Sequence, residues 1–166
     1  MVLFEKDEIK KYRKRGVVIG SGCKFYNANI DYGHGFLVKI GNNVTLSHCS
    51  ILTHDASTER LIGYTKIGKV TIEDNVFVGM NSIILPNVNI GENSIIGAGT
   101  VITKSIPSNV VVAGNPAKVI CDIDTFKNKY LKLLNNSPKY DKVWTEMSSE
   151  DKDRIIKEVY SIGFVK

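Results

Sequence analysis

The sequence predicts a mainly β fold in which short extended segments wind into a repeating coil. An aliphatic residue returns at every sixth position between residues 72 and 102, namely Ile72, Val78, Ile84, Ile90, Ile96 and Ile102. The fifth position of each six is small or β-branched, namely Val76, Ser82, Val88, Ser94, Thr100 and Ile106. A period of six is neither the 3.6 of a helix nor the 2 of a simple strand, so it indicates a larger coil with a narrow interior.

Taken in order, the predicted elements are an N-terminal helix (1–15), the coil (16–120) and a C-terminal helical tail (121–166), together forming a single domain (1–166). Ile40, Leu46 and Leu52 extend the same spacing upstream, so the side chain of Leu52 is predicted to point inward. Leu52 and Ile72 are twenty residues apart, two more than three sixes. This break in the repeat predicts an extruded loop, 55–66, and long loops of this kind are often functional.

The tail has two helix signals. Apolar residues at helical spacing predict a helix over 122–134, and Pro138 closes that segment. Ser148, followed by Asp151 three residues later, predicts the N-terminal cap of a second helix. We expect these helices to cover the open end of the coil or to contact a partner subunit.

Composition limits the classes of function. The net charge of +5 favours an anionic partner, but the basic run over 10–15 lacks stacking aromatic residues or a known nucleic-acid module, so cations near a helix end explain it better. No apolar run reaches the roughly 20 residues of a membrane span. The charged N-terminus does not fit a secretory signal, so we expect a cytoplasmic protein. The three cysteines are predicted to be free and structural, with Cys49 the candidate for a reactive thiol.

His54 is the strongest catalytic candidate, because it stands between a regular six and the predicted loop, and imidazole can accept a proton near neutral pH. A base of this kind works better when a carboxylate fixes its other ring nitrogen. Asp55 and Glu59 are the local candidates for that carboxylate, and Asp31 is a distant one. A zinc site that includes His48 and His54 is the rival interpretation.

Four features carry a resemblance to a known family: the sixfold repeat, the run Ile51-Leu52-Thr53-His54-Asp55, and the two runs 96–107 and 112–120. Together they resemble the hexapeptide-repeat acyltransferases, in the sugar and antibiotic O-acetyltransferase branch. The resemblance covers residues 16 to 120. It implies a left-handed parallel β-helix of triangular cross-section, in which three sixes make one coil and residue n stacks on n+18.

The resemblance also implies a function: acetyl-CoA-dependent O-acetylation of a sugar hydroxyl, on a bacterial surface polysaccharide or its precursor. His54 is the implied general base, by direct transfer, and the implied assembly is a homotrimer with sites between subunits. The residues implied to bind the cofactor are Gly79, Gly97, Ala98, Thr103, Lys104, Pro116 and Lys118, with the small residues exposing backbone amides to the pantetheine arm. The residues that orient His54 or bind the acceptor are predicted among Asn29, Asp31, His34 and Asp55.

Alternatives stay open. The same base can serve an amine, so N-acetylation of an amino sugar is a second possibility within the class. A non-catalytic β-helix that scaffolds an assembly is a third, and a zinc-dependent carbonic anhydrase a fourth. No metal is expected, because that class carries two of its histidines five residues apart and this sequence does not.

Overall fold

The computed structural model describes the backbone of residues 2–166 and the side chains of residues 7–166. Helix α1 (Val2–Lys14) is followed by six short strands: β1 (Val18–Ile19), β2 (Lys24–Tyr26), β3 (Asn29–Ile30), β4 (Val38–Ile40), β5 (Thr45–Ser47) and β6 (Ser50–Ile51). An excursion then holds β7 (His54–Asp55), α2 (Glu59–Ile62) and β8 (Lys66–Ile67). The strands resume as β9 (Val70–Ile72), β10 (Phe77–Val78), β11 (Ile83–Ile84), β12 (Val88–Ile90), β13 (Ile95–Ile96), β14 (Val101–Ile102), β15 (Val110–Ala113) and β16 (Lys118–Asp122).

The strands enter three sheets in rotation. The first sheet has the order β1-β4-β9-β12, the second β16-β15-β13-β10-β5-β2 and the third β14-β11-β6-β3. Neighbouring strands pair in parallel, except that β16 turns back antiparallel to β15. Ile72 is aligned with Ile90, Val78 with Ile96, and Ile84 with Ile102. These pairs confirm the predicted stacking of residue n on n+18, which is what a three-sided parallel coil requires.

The interior is built from the two predicted positions of each six. All six aliphatic residues at the first position are at most 1% exposed, and each such side chain contributes about 1.5–3 kcal/mol by leaving water. The fifth position is also buried, and its polar members are satisfied. The Ser82 and Thr100 hydroxyls both donate to the Gly97 carbonyl, and the Ser94 hydroxyl donates to the Pro107 carbonyl. The narrow core therefore leaves these hydroxyls paired, as burial demands.

Asparagine forms the corners of the coil. Among the described residues, eight non-glycine positions have a positive φ, and seven of them are Asn. Asn tolerates this left-handed conformation better than other side chains do. At one corner the side chains form a ladder, in which the Nδ2 of each Asn donates to the Oδ1 of the next at 2.9–3.2 Å, in the order Asn43, Asn75, Asn93 and Asn109. The ladder links four successive coils.

The inward position predicted at Leu52 is wrong by one residue. Ile51 is fully buried and pairs with Ile84, whereas Leu52 is half-buried. The reason is that the corner after Leu46 is one residue shorter than the corner after Val78. The residue in the left-handed conformation is the second after Leu46, at His48, but the third after Val78, at Asn81. The repeat upstream of the loop therefore advances by five at this corner.

Two insertions interrupt the coil on the same side. Ile30 pairs with Ile51, 21 residues later, and the extra residues form the segment 31–37, which ends in a 3-10 turn at Gly35–Leu37. Ile51 pairs with Ile84, 33 residues later, which confirms that a loop leaves the coil here. The loop is closed at its base by antiparallel pairing of His54 with Ile67 and of Asp55 with Lys66. Between these strands lie a 3-10 turn, Ala56–Thr58, and α2.

The tail forms a compact unit of its own, Asp124–Lys166, whereas the sequence predicts one domain throughout. Its elements are α3 (Ile123–Asn135), β17 (Lys139–Tyr140), a 3-10 turn (Trp144–Glu146), α4 (Ser149–Glu158) and β18 (Phe164–Val165). Helix α3 lies within one residue of its predicted bounds. The predicted cap is present as a capping box, with Ser148 and Asp151 each bonding the other's backbone amide. Among residues 2–166, no helix is both long and apolar enough to cross a membrane.

Candidate active site

His54 lies where the third sheet gives way to the loop. Strand β6 ends at Ile51, Thr53 is buried, and His54 opens β7 with its side chain 42% exposed. The Nδ1 atom of His54 is 2.5 Å from Oδ2 of Asp31. One ring nitrogen is therefore engaged with the protein, while the imidazole still reaches solvent.

Asp31 is buried in the insertion that follows β3, and nearly all its acceptor capacity is used. Its Oδ2 accepts the Thr53 amide at 3.1 Å, the Thr53 hydroxyl at 2.7 Å and the His54 ring, while Oδ1 accepts the Gly33 amide at 3.1 Å. Burial raises the pKa of Asp31, but the hydrogen bonds from His54, Thr53 and Gly33 outweigh burial and hold the pKa well below its usual value. The carboxylate is ionised at neutral pH.

An ionised carboxylate only accepts hydrogen bonds, so the neutral His54 ring must carry its proton on Nδ1. This tautomer leaves Nε2 with a free lone pair, which is the state a general base needs. Asp31 thus does for His54 what a triad carboxylate does for its histidine: it fixes the ring and favours the cation formed on proton uptake.

His34 joins this cluster from the same insertion as Asp31. Its ring centroid is 5.2 Å from that of His54, and its Nδ1 is 3.8 Å from Oδ1 of Asp31. Among the described residues this nitrogen is buried without a hydrogen-bond partner. The structure therefore brings together three predicted site residues, Asp31, His34 and His54.

The other candidates lie apart from the His54 ring. Asp55, predicted as a possible orienting residue, accepts the Ser57 amide and pairs with Lys66 at 2.9 Å; the hydrogen bond from Ser57 and the pairing with Lys66 lower its pKa. Glu59 accepts a hydrogen bond from Thr65 inside the loop. Both acids stabilise the loop, so their predicted contact with His54 is corrected in favour of Asp31. Asn29 is exposed on β3 beside Ser50.

Asp31, His34 and His54 also offer three potential metal-ligand atoms within 4.8 Å of one another. Their chemistry, one carboxylate and two imidazoles, suits a transition metal. In the structure, Nδ1 of His54 and Oδ2 of Asp31 are hydrogen-bonded to each other. The absence of a metal stays a prediction from the sequence.

Cys49 is not a reactive thiol. The side chain is 1% exposed, and burial raises the pKa of this thiol to about 12. Cysteine reacts as the thiolate, which is negligible at neutral pH under these conditions. The alternative of a nucleophilic Cys49 beside the histidines is therefore wrong.

Four of the predicted cofactor residues line one groove of about 360 Å³: Thr103, Lys104, Pro116 and Lys118. The groove follows β14, which lies in the third sheet two strands from β6. The Leu52 amide donates to the Ile84 carbonyl and the Leu85 amide to the Ile102 carbonyl, so Leu52, Leu85 and Thr103 hold equivalent positions on three successive strands. Thr103 in the groove therefore lies at the corner that, two strands earlier, leads into His54. With strands about 4.8 Å apart, roughly 10 Å separates the two levels.

The two glycines among the predicted cofactor residues, Gly79 and Gly97, pack against the next coil, and their backbone amides are not free. The Gly79 amide donates to the Ile96 carbonyl and the Gly97 amide to the Val112 carbonyl, both at 2.8 Å. A Cβ on Gly79 would lie 2.6 Å from the Ala98 nitrogen, so only glycine lets these coils approach. The amides of these two glycines are therefore bonded to the next coil, and a role of Gly79 and Gly97 in binding the cofactor stays a prediction from the sequence. Ala98 is exposed on the outer edge, as predicted.

Thr53 is a site residue that the sequence did not reveal. It is fully buried, and both its amide and its hydroxyl bind Asp31. The available signal in the sequence was that Thr53, a polar residue, lies between a buried strand and a candidate histidine. Recognising it requires knowing that Ile51 faces inward, because Thr53 then shares that direction by alternation.

The structure combines a three-sided parallel coil with a histidine at the base of a loop, held there by a carboxylate, and with a groove two strands away. This combination is typical of transferases that are built from a repeated sequence. The family model that matches residues 69–104 is the bacterial transferase hexapeptide (six repeats). The Staphylococcus aureus protein CapG is 39% identical over 142 residues, covering 78% of this chain and 83% of CapG. The chain belongs to the hexapeptide-repeat acyltransferases, in the branch that contains the sugar O-acetyltransferases.

Two solved structures are similar. A maltose O-acetyltransferase from Clostridium difficile 630 is 31% identical, with a TM-score of 0.55, covering 71% of this chain and 75% of that one. A galactoside acetyltransferase in complex with coenzyme A is 29% identical, with a TM-score of 0.52, covering 67% of each chain. Against three further curated relatives the chain spans 55–63% of their length.

Proposed function

We propose that the protein is an acetyl-CoA-dependent O-acetyltransferase that acts on a sugar hydroxyl, with His54 as general base. The observation that carries the proposal is the contact between His54 Nδ1 and the buried carboxylate of Asp31, which leaves Nε2 free toward solvent. The similarity to a maltose O-acetyltransferase and to a galactoside acetyltransferase supports a sugar acceptor. The acceptor is proposed to be a bacterial surface polysaccharide unit or its precursor.

The reaction is a direct transfer. Nε2 of His54 removes the proton from the acceptor hydroxyl as its oxygen attacks the acetyl carbonyl carbon of the thioester. The tetrahedral intermediate then collapses by breaking the carbon–sulfur bond, and the coenzyme A thiolate takes the proton back from the imidazolium. Asp31 stabilises the imidazolium between these steps. Proton transfer by a placed histidine contributes about 10²- to 10⁴-fold in rate.

The donor is proposed to bind with its nucleotide in the groove of one subunit and its thioester facing His54 of a neighbouring subunit. Lys104 and Lys118 supply cations for the nucleotide phosphates, and Thr103 a hydroxyl. The pantetheine arm then runs along the outer edge, where Ala98 is exposed, toward the thioester position that faces His54 of the neighbouring subunit. The coenzyme A bound in the similar galactoside acetyltransferase supports this assignment.

The assembly is proposed to be a homotrimer of left-handed β-helices with sites between subunits. The rotation of strands through three parallel sheets supports the β-helix. Three apolar side chains of the extruded loop, Leu61, Ile62 and Tyr64, are 66–77% exposed in the single chain. Exposed apolar clusters mark interaction surfaces, so these side chains support contact with another subunit. The cytoplasmic location stays a prediction.

A screen with acetyl-CoA tests the proposal by following thiol release with maltose, a galactoside, glucosamine and buffer alone. The proposal expects release with the neutral sugars and an acetyl ester in the product. Release confined to glucosamine, with an amide product, would replace O-acetylation by N-acetylation. No release with any acceptor and no thermal stabilisation by coenzyme A would favour the scaffold, since a ligand that binds only the folded form must stabilise it.

A further inference from the structure

The carboxyl-terminal end of α1 forms a basic groove. A depression of about 410 Å³ is lined by four cations and one carboxylate, namely Lys10, Lys11, Lys14, Arg15 and Asp7. The sequence alone explains these cations by their position near a helix end. The structure also shows what these cations contact, and a position near a helix end does not explain those contacts.

The groove contacts the segment that carries Asp31, the carboxylate that orients His54. The Arg15 guanidinium lies 4.4 Å from the centroid of the Tyr32 ring, and Tyr32 directly follows Asp31. On the same helix, the Tyr12 hydroxyl donates to the Ala28 carbonyl at 2.5 Å and accepts the Ile30 amide at 3.4 Å. These contacts fix the basic end of α1 against β3, immediately before Asp31. Tyr32 itself is 80% exposed and free to contact a ligand.

The charges of the groove are available. Among the side chains of residues 7–166, the lysines that form ion pairs are Lys66, Lys142 and Lys166, none of which lines the groove. Arg13, in the same basic run, is different because its guanidinium donates to the Ile19 and Gly20 carbonyls. The helix end contributes about half a negative charge, and Asp7 and Glu8, which interacts with Lys11, contribute one each, so four cations still leave a positive excess.

We propose that this groove binds the pyrophosphate of an activated sugar, whose hydroxyl then meets His54. The inference rests on the proposed function and names its substrate class. A guanidinium matches phosphate oxygens with two parallel hydrogen bonds, and lysines add point charges. Pyrophosphate carries at least two negative charges, which suits four cations better than the single charge of a carboxylate. The exposed face of Tyr32, beside Arg15, is placed to pack on the sugar ring.

The test compares acceptors that share one sugar. Acetyl transfer from acetyl-CoA is measured with four acceptors: free galactose, galacturonate, a nucleoside diphosphate galactose, and galactose linked through a diphosphate to a short prenyl chain. The proposal expects kcat/KM for at least one pyrophosphate acceptor to exceed that for galactose by tenfold or more. Preference for the nucleotide or for the prenyl acceptor identifies the source of the pyrophosphate, and either supports the site. A preference for galacturonate over both pyrophosphates would overturn it.

Variants of the basic groove test whether the preference for pyrophosphate acceptors arises there. Replacing Lys14 and Arg15 together (Lys14→Gln, Arg15→Gln) is expected to lower the ratio of kcat/KM for the pyrophosphate acceptor to that for galactose by about 10- to 100-fold. A second double variant, Lys24→Gln with Lys39→Gln, removes two charges from exposed lysines of β2 and β4 and should leave the ratio unchanged. An equal loss in both variants would overturn the groove. Equal transfer to galactose and to the pyrophosphates would overturn this inference alone, whereas transfer to no sugar would overturn the proposed function.

Discussion

Asp31 and His54 are 23 residues apart in sequence, yet the carboxylate of one lies 2.5 Å from the ring nitrogen of the other. The contact exists because the insertion after β3 and the loop after β6 leave neighbouring strands of the same sheet. Thr53 and Gly33 hold the carboxylate from other directions, so its position does not depend on His54. The site is therefore organised before any substrate binds.

Replacing Asp31 by asparagine is expected to lower kcat by about 10²- to 10⁴-fold, because an amide NH₂ facing Nδ1 favours the wrong tautomer. The measurement is steady-state thiol release at saturating acetyl-CoA. Asp55→Asn is the matched control, since Asp55 bonds Ser57 and Lys66 instead. Equal losses in the two variants would show that Asp31 has no special role.

Asp31 also links folding to pH. Its pKa is lowered in the folded protein from an ordinary value of 3.8, so its ionised form stabilises the fold above about pH 4, and this stability is lost as the pH falls below that value. Urea unfolding of wild type and Asp31→Asn between pH 7 and pH 3 measures the difference. The wild-type advantage should shrink toward pH 3. A difference that stays constant with pH would exclude this linkage.

The asparagine ladder is expected to stabilise the coil. Asn75 has a φ of 58° and bonds both Asn43 and Asn93. Asn75→Ala should lower the free energy of unfolding by about 2–4 kcal/mol, from two lost hydrogen bonds and left-handed strain. Asn75→Gly should cost about 1 kcal/mol less, because glycine accepts the backbone conformation. Equal stability of the two variants in denaturant unfolding would refute the strain component.

Lys104 and Lys118 face the proposed donor groove. Replacing both by glutamine should raise KM for acetyl-CoA by tenfold or more with little change in kcat, because charge-assisted bonds to phosphate contribute to binding throughout the reaction. The thermal stabilisation produced by coenzyme A should fall in parallel. Lys127→Gln combined with Lys132→Gln, two exposed lysines of α3, controls for net charge. An unchanged KM in the double variant would remove the groove from the donor site.

The regular part of the coil was predictable because its period repeats without error. The buried aliphatic residues at the first position of each six, from Ile72 to Ile102, recur without a miss, and the residues at the fifth position are small or β-branched and fit the narrow interior. Upstream, the corner at His48 is one residue shorter, and no local signal distinguishes His48 from the asparagines at equivalent corners. Leu52 was therefore assigned inward in place of Ile51.

The candidate site was predictable only in part. His54 stood out because the repeat fails after it, but its carboxylate partner is set by strand pairing between distant segments. Asp55, the nearest acid, pairs with Lys66 across the β7–β8 pair, and Asp31 reaches His54 because Ile30 pairs with Ile51. The groove residues were recognised within two runs, 96–107 and 112–120, yet the Gly79 and Gly97 amides bond the next coil.

The most direct test of His54 as the base is the rate of acetyl transfer by His54→Asn, compared with His48→Asn. Both variants exchange a histidine for an asparagine, and His48 is an exposed corner residue whose φ of 44° asparagine readily adopts. His54→Asn should lose about 10²- to 10⁴-fold in kcat while coenzyme A still stabilises it, and His48→Asn should match wild type. Transfer by His54→Asn within threefold of wild type would contradict the proposed mechanism.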